Sequence, residues 1–224
     1  MNIARLVFNP LQENTYVVWD DTRQAAVIDA GNMTERENAA LEGFLAEREL
    51  KPVLAINTHG HFDHLLGVDF VCRRYGAPFA LSSKDEFLLK ASSTSAELFG
   101  VRAGDMPERI DIDLDGRDAV SFGRTELRII STPGHTPGHV ALYEPLSKSL
   151  FTGDTLFRES IGRTDLPGGD YSWIMRSILD ELVPLGGEVH VYPGHGPEST
   201  IGHEMLYNPF IVEVLNEEVN YKER

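Results

Sequence analysis

Residues 58–64 read Thr-His-Gly-His-Phe-Asp-His, which sets three imidazoles and a carboxylate within six positions, directly after the strand-like run PVLAIN. His59 and His61 are two apart, so at the end of an extended strand both rings project from one side. Asp63 and His64 fall where the chain turns into a helix and can face back toward that side. Gly60 lets the backbone fold tightly between them. Neutral imidazole and carboxylate oxygen suit zinc, and also iron or manganese. A lone histidine at a strand end is ordinarily a surface or core residue, but that explanation does not extend to four such groups in one loop. Nor do four ligands from one short loop readily saturate one tetrahedral ion while leaving a position for substrate. They are better shared between two ions, and each ion then needs ligands from elsewhere in the chain.

The sequence supplies candidates at three further places with the same grammar of β-rich run, small residues and ligand. His135 lies in STPGHTPGH after ELRII, Asp154 in FTGDT, and His195 in YPGHG after VHV. A fold that uses this pattern must bring several distant strand ends to one point.

The rest of the chain reads as alternating elements. ARLVF, TYVVWD and AAVIDAG are short β-rich runs separated by turn residues. Thr34 to Glu37 fits a capping box opening a helix with Ala39, Leu41, Phe44 and Leu45 on its apolar face. The stretch Leu65 to Tyr75 reads as helix and APFAL as strand. A second capping box, Ser83 to Glu86, predicts a helix through Lys90. Residues 91–117 read as a loop-rich excursion and a candidate lid. Strands return in AVSF, TELRIIS, HVALYE and SLFTGD. Asp170 caps a helix over Tyr171 to Val183, EVHVYPGH is the last strand, and one more helix is expected around Val212 to Val219. Two such halves with helices outside predict a mixed α/β (α+β) fold, a four-layer αββα sandwich on two packed sheets, with residues 1–224 forming one domain.

Charge narrows the class of partner. With 35 acidic against 20 basic residues the net charge is −15, which opposes a nucleic-acid backbone as partner. Cys72 is the single cysteine, so no internal disulfide forms, and no run of apolar residues approaches a membrane span. No signal peptide is visible either, so the expected location is the cytoplasm, away from membranes; the oligomeric state is not legible.

The combination HxHxDH, PGHTPGH, TGDTLF and PGHG, in that order and spanning nearly the whole chain, resembles the metallo-β-lactamase superfamily. The resemblance implies that His59, His61 and His135 hold one divalent ion and Asp63, His64 and His195 a second. Asp154 then bridges them, with a water or hydroxide as the other bridge. Zinc is the expected metal, with iron or manganese compatible. Zinc β-lactamases place other residues at the positions of Asp154 or His64, so antibiotic hydrolysis is disfavoured. TGDTLFRESIGRTDLPGGD and GHGPESTIGHEMLYNPF resemble short bacterial type II glyoxalases, the hydroxyacylglutathione hydrolases. The helical, basic carboxy-terminal extension of the longer enzymes is not seen. Arg163 keeps their basic residue, while Asp165 stands in place of their aromatic one.

These resemblances imply hydrolysis of a small, anionic acyl thioester, with S-lactoylglutathione the first candidate. Asp63 is the candidate catalytic group that orients the attacking hydroxide, and Arg163 the candidate substrate contact. A persulfide dioxygenase with one iron on His59, His135 and Asp154 is the nearest alternative, and a lactonase another. His139 is expected to orient the metal loop, His190 to be a satisfied core histidine, and Tyr171 and Trp173 to be packing residues.

Overall fold

A computed structural model describes residues 1–222, with the side chains of residues 1–215. The strands Asn2–Phe8 (β1), Glu13–Trp19 (β2), Gln24–Ile28 (β3), Lys51–Ile56 (β4), Phe79–Leu81 (β5) and Ile112–Asp113 (β6) form one sheet in simple sequence order. The first three are antiparallel, and from β3 onward the pairs are parallel. Parallel neighbours need a crossover. Helices Glu35–Glu47 (α1), Phe62–Leu65 (α2), Val68–Tyr75 (α3) and Glu86–Leu98 (α4) supply these. A second sheet contains Ala119–Phe122 (β7), Thr125–Ser131 (β8), Val140–Glu144 (β9) and Ser149–Gly153 (β10). After the small hairpin Leu156–Phe157 (β11) and Ser160–Ile161 (β12) and the helix Tyr171–Arg176 (α5) come His190–Pro193 (β13) and Ser199–Thr200 (β14). The order of this sheet is β14-β13-β10-β9-β8-β7, with β10 and β13 parallel. Ile201–Tyr207 (α6) and Pro209–Lys222 (α7) close the chain.

The layering follows from the two-residue period of the strands. On β2 and β3, Val17, Ala25 and Val27 face outward onto Leu41 and Leu45 of α1 and Val68 and Val71 of α3. Tyr16, Val18, Ala26 and Ile28 face inward onto Leu127, Leu142 and Phe151 of the second sheet. That sheet's other face, including Ala141, Leu150 and Val191, packs on Ile174, Ile201 and Ile211 of α5, α6 and α7. Three apolar layers between four strata of structure make the expected αββα sandwich. Strands buried on both faces read as continuous apolar runs, which is why AAVI and SLF carry no polar alternation.

Local signals held where a side chain satisfies a helix end. Thr34 accepts from the Glu37 amide and Glu37 reaches back to the Thr34 amide, the full capping box. Asp170 accepts from the Trp173 amide at 2.9 Å. Several expectations need correction. The helix after the histidine motif starts at Phe62, not Leu65, and breaks at Leu66–Gly67 before α3. Ser82, not Ser83, is the capping residue of the next segment; a 3₁₀ turn over Ser83–Asp85 leads into α4, which runs to Leu98 instead of stopping at Lys90. The stretch 91–98 is therefore helix. Its serines and threonine argue against that locally, but Leu88, Leu89, Ser92 and Ala96 recur at helical spacing and are buried. The Ser92 hydroxyl bonds back to the Leu89 carbonyl at 2.7 Å, so burial leaves it satisfied. The helix begun by Asp170 stays α-helical only to Arg176, then widens into a π turn over Ser177–Leu182. At the end of the chain there are two helices where one was expected. Ala39, Tyr171 and Trp173 are exposed, and His190 is exposed at the start of β13, so none of them is a core residue.

The capping box carries more than its own helix, because Glu37 also accepts from the amides of Asn9 (2.8 Å) and Met33 (2.9 Å). Thr34→Ala should lower stability by about 1 kcal/mol. Glu37→Ala, which orphans three amides, should cost roughly 2 kcal/mol. Urea denaturation of both variants checks the order.

Candidate metal centre

The seven candidate ligands arrive from the ends of strands in both sheets. β4 ends at Ile56, and the next two residues are fastened from behind. Asn57 donates through Nδ2 to the His64 carbonyl at 2.7 Å, and Thr58 donates from its amide and hydroxyl to Asp29 at 2.7 and 2.8 Å. With its own proton committed to Asp29, the Thr58 hydroxyl accepts from His59 Nδ1 at 3.0 Å. That leaves His59 Nε2 as a free lone pair. His61 stands at the start of α2, whose first turn carries Asp63 and His64.

His135 lies in the connection between β8 and β9. Its Nδ1 donates to the Arg163 carbonyl at 2.7 Å, and its Nε2 lies 2.8 Å from His61 Nδ1. Asp154 follows Gly153, whose φ of +46° and close approach to Thr58 and His139 leave no room for a Cβ. The Asp154 amide donates to His139 Nε2 at 3.0 Å, while His139 Nδ1 meets the hydroxyls of Thr132 (2.9 Å) and Thr155 (3.1 Å). His139 therefore orients the Asp154 loop, as the sequence suggested, and its ring is wholly committed to that task. His195 follows β13, with Nδ1 3.1 Å from the Leu11 carbonyl and Nε2 3.1 Å from Asp63 Oδ2.

Three trios have ligand atoms mutually within 4.8 Å: His59, His61 and His135; His59, His64 and Asp154; and Asp63, His64 and His195. Asp154 stands between the outer two, with Oδ1 3.5 Å from His64 Nε2 and Oδ2 3.6 Å from His135 Nε2. The protein itself leaves these atoms unsatisfied. The buried Nε2 atoms of His59, His61 and His64 and Asp154 Oδ1 have no hydrogen-bond partner. Orphaned buried polar atoms are rare and costly, and those of His59, His64 and Asp154, residues whose ligand atoms lie within 4.8 Å of one another, fit the binding of cations.

Electrostatics point the same way. Burial, reinforced by neighbouring imidazoles, pushes His59 well below the usual histidine value and His61 down to about 4, so both are neutral, ligand-ready bases at neutral pH. Burial would lower His64 too, but Asp154, Asp63 and Asp29 override it and raise it. Burial would raise Asp63 and Asp154, yet His64 and His195 hold both carboxyls below the ordinary range. The centre thus favours positive charge among its carboxylates.

Sequence reasoning missed the residues that hold the loops. Asp85, fully buried, accepts from the Gly60 amide (2.9 Å), the Thr136 hydroxyl (2.6 Å) and the Gly138 amide (2.7 Å), tying the HxHxDH loop to the PGHTPGH loop. Asn14 donates through Nδ2 to the carbonyls of Pro193 and Gly196, both at 2.9 Å, and the Tyr16 hydroxyl donates to Pro193 at 2.8 Å, which fixes the loop of His195. An acidic residue at a helix start is ordinary, so Asp85 sent no distinctive signal.

A cavity of about 390 Å³ opens beside the cluster, with His61, Asp63, His135, Asp154 and His195 in its wall. Arg163 lines it as well, but its guanidinium faces Asp165, donating from Nε at 2.7 Å and Nη2 at 2.8 Å. His203 lies outside the cavity lining and pairs with Glu159 at 2.9 Å. No helix among the described residues is long and apolar enough to cross a membrane.

Comparison with known proteins agrees with this geometry. Residues 8–195 match the model of the metallo-beta-lactamase superfamily. Hydroxyacylglutathione hydrolase GloC of Haemophilus influenzae is 36% identical over 214 residues, covering 94% of this chain and 98% of that one. The crystal structure of BLEG-1 B3 metallo-beta-lactamase superposes with a TM-score of 0.86 at 35% identity, covering 94% of this chain and 99% of the other. That of TTHA1623 in a di-iron-bound form gives a TM-score of 0.82 at 35% identity, covering 92% and 99%.

Asp85→Asn keeps the volume but replaces one accepting oxygen with an NH₂, which then faces at least one of the three donors that the carboxylate satisfies. It should weaken metal retention about 10- to 100-fold, read by competition with a chelator, and lower stability by roughly 1–3 kcal/mol.

Proposed function

The chain belongs to the metallo-beta-lactamase superfamily, and from that membership we propose that it hydrolyses small acyl thioesters at a two-metal centre. S-lactoylglutathione is the reference substrate, since the relative named hydroxyacylglutathione hydrolase is 36% identical over nearly its full length. The observation that carries the two-metal reading is Asp154, which turns one carboxylate oxygen toward His64 and the other toward His135. In this reading His59, His61 and His135 would hold one ion and Asp63, His64 and His195 the other, with Asp154 available to both. Zinc suits this all-nitrogen-and-oxygen set best, and iron or manganese can replace it.

When bound, two divalent ions supply Lewis acidity and lower the pKa of water to roughly 7. The chain's own residues do the rest. Asp63, in the cavity wall and 3.1 Å from His195, orients the attacking water through its carboxylate. His139 and Asp85 keep the ligand loops from shifting, which preserves the approach of nucleophile to carbonyl. The leaving thiolate requires no strong acid, since an unperturbed thiol has a pKa of about 8.5. Outside the cluster, the polar side chains of the cavity wall are Ser95 and the Asp165-paired Arg163, so a leaving group that departs unaided suits the site.

A persulfide dioxygenase would need one iron and an idle second trio. The convergence of Asp63, His64 and His195 favours two ions instead. Metal analysis paired with a screen of thioesters, lactones, a β-lactam and glutathione persulfide tests the assignment. We expect two ions per chain and thioester turnover, with His59→Ala and Asp154→Ala losing activity while keeping their circular dichroism. One iron per chain with oxygen uptake and no thioester hydrolysis would overturn it.

A further inference from the structure

Helix α4 has two apolar faces and only one of them is covered. Leu89, Ser92 and Ala96 are buried beneath it. Phe87, Ala91, Ser95 and Leu98, which share the adjoining side at helical spacing, line the cavity beside the metal cluster, with the buried Leu88 at the boundary between the two sides, and Phe99 continues the row. Phe87 is 43% exposed, Leu98 82% and Phe99 52%, an unusual cost for three large apolar side chains lining one cavity. The row runs directly into the centre, because the Phe99 ring lies 5.3 Å from that of Phe62, the residue before Asp63. Leu11, Leu166 and Pro167 line the same cavity.

The charge inventory of the cavity is as telling. Its acids are Asp63 and Asp154, which belong to the metal cluster, and its one basic side chain apart from the histidines is Arg163. The fork of that guanidinium is filled by both oxygens of Asp165. No free cation in the wall, among the described residues, is available to hold the carboxylates of a peptide-like thiol carrier.

We propose that the α4 wall binds an uncharged, apolar arm of the thioester substrate, so that the enzyme selects thioesters by the length of that arm. This rests on the thioester reading above and specifies its substrate class. The arm can belong to the acyl group or to the leaving thiol, and the chemistry of recognition is the same.

Two series on the zinc-loaded enzyme separate these sources: acetyl, butanoyl and hexanoyl thioesters of N-acetylcysteamine, and acetyl thioesters of ethanethiol and 2-phenylethanethiol. In the series that carries the arm, kcat/KM should rise about twofold to fourfold per added methylene, until the hexanoyl or phenylethyl compound exceeds S-lactoylglutathione. Leu98→Ser with Phe99→Ser, both at exposed positions, should flatten that slope. Titration calorimetry with acetate, butanoate, hexanoate and 2-phenylethanethiol reads the wall without turnover and should show affinity growing with the apolar arm. Flat series in both directions, with thioesters still hydrolysed, would refute the apolar arm and leave the thioester reading standing. Arm-dependent binding with no thioester hydrolysed would refute the thioester reading and leave the wall standing. Unchanged slopes in the double variant would remove α4 as their cause.

Discussion

Five imidazoles and two carboxylates are pressed together at the junction of two sheets, and several of their atoms face one another with no hydrogen bond between them. Taken alone such an arrangement is desolvated and costly. It persists because every ligand loop is fastened from behind by groups that point away from the centre. Asp29 holds Thr58, Asp85 holds two loops at once, His139 holds Asp154, and Asn14 with Tyr16 holds the loop of His195. The sandwich serves this fastening. The Val140 amide reaches across to the Thr58 carbonyl at 2.8 Å and the Asn14 amide to Gly194 at 2.7 Å, so the two sheets are stitched together beside the cluster.

The candidate ligands were legible because metal chemistry admits few residue types, and each of the seven follows a recognisable run of apolar residues and glycines. The architecture was legible for a related reason, since doubly buried strands announce themselves as unbroken apolar runs. What the sequence hid were the groups whose identity is common and whose role is positional. Asp85 looks like any acid at a helix start, and Asn14 like any polar residue at the edge of a turn. Only their partners, 25 to 182 positions away, distinguish them.

The misjudged helix α4 teaches a different lesson. Its second half, ASSTSAEL, has poor local support, and a loop was the reasonable expectation. Tertiary burial of one face overrode that preference. The same override left the other face, with Leu98 and Phe99, projecting toward the cavity. A segment that local propensity would have surrendered to a loop is therefore kept helical.

The ligands ride on strand ends and their buried props, whereas much of the cavity's apolar side rides on one helix packed over the outside. Reactivity and choice of substrate are thus anchored to different pieces of the chain. Exchanging residues along the outer face of α4 changes what is admitted without disturbing a single bond to the chemical machinery. A scaffold divided in this way can acquire new customers while its reaction stays the same.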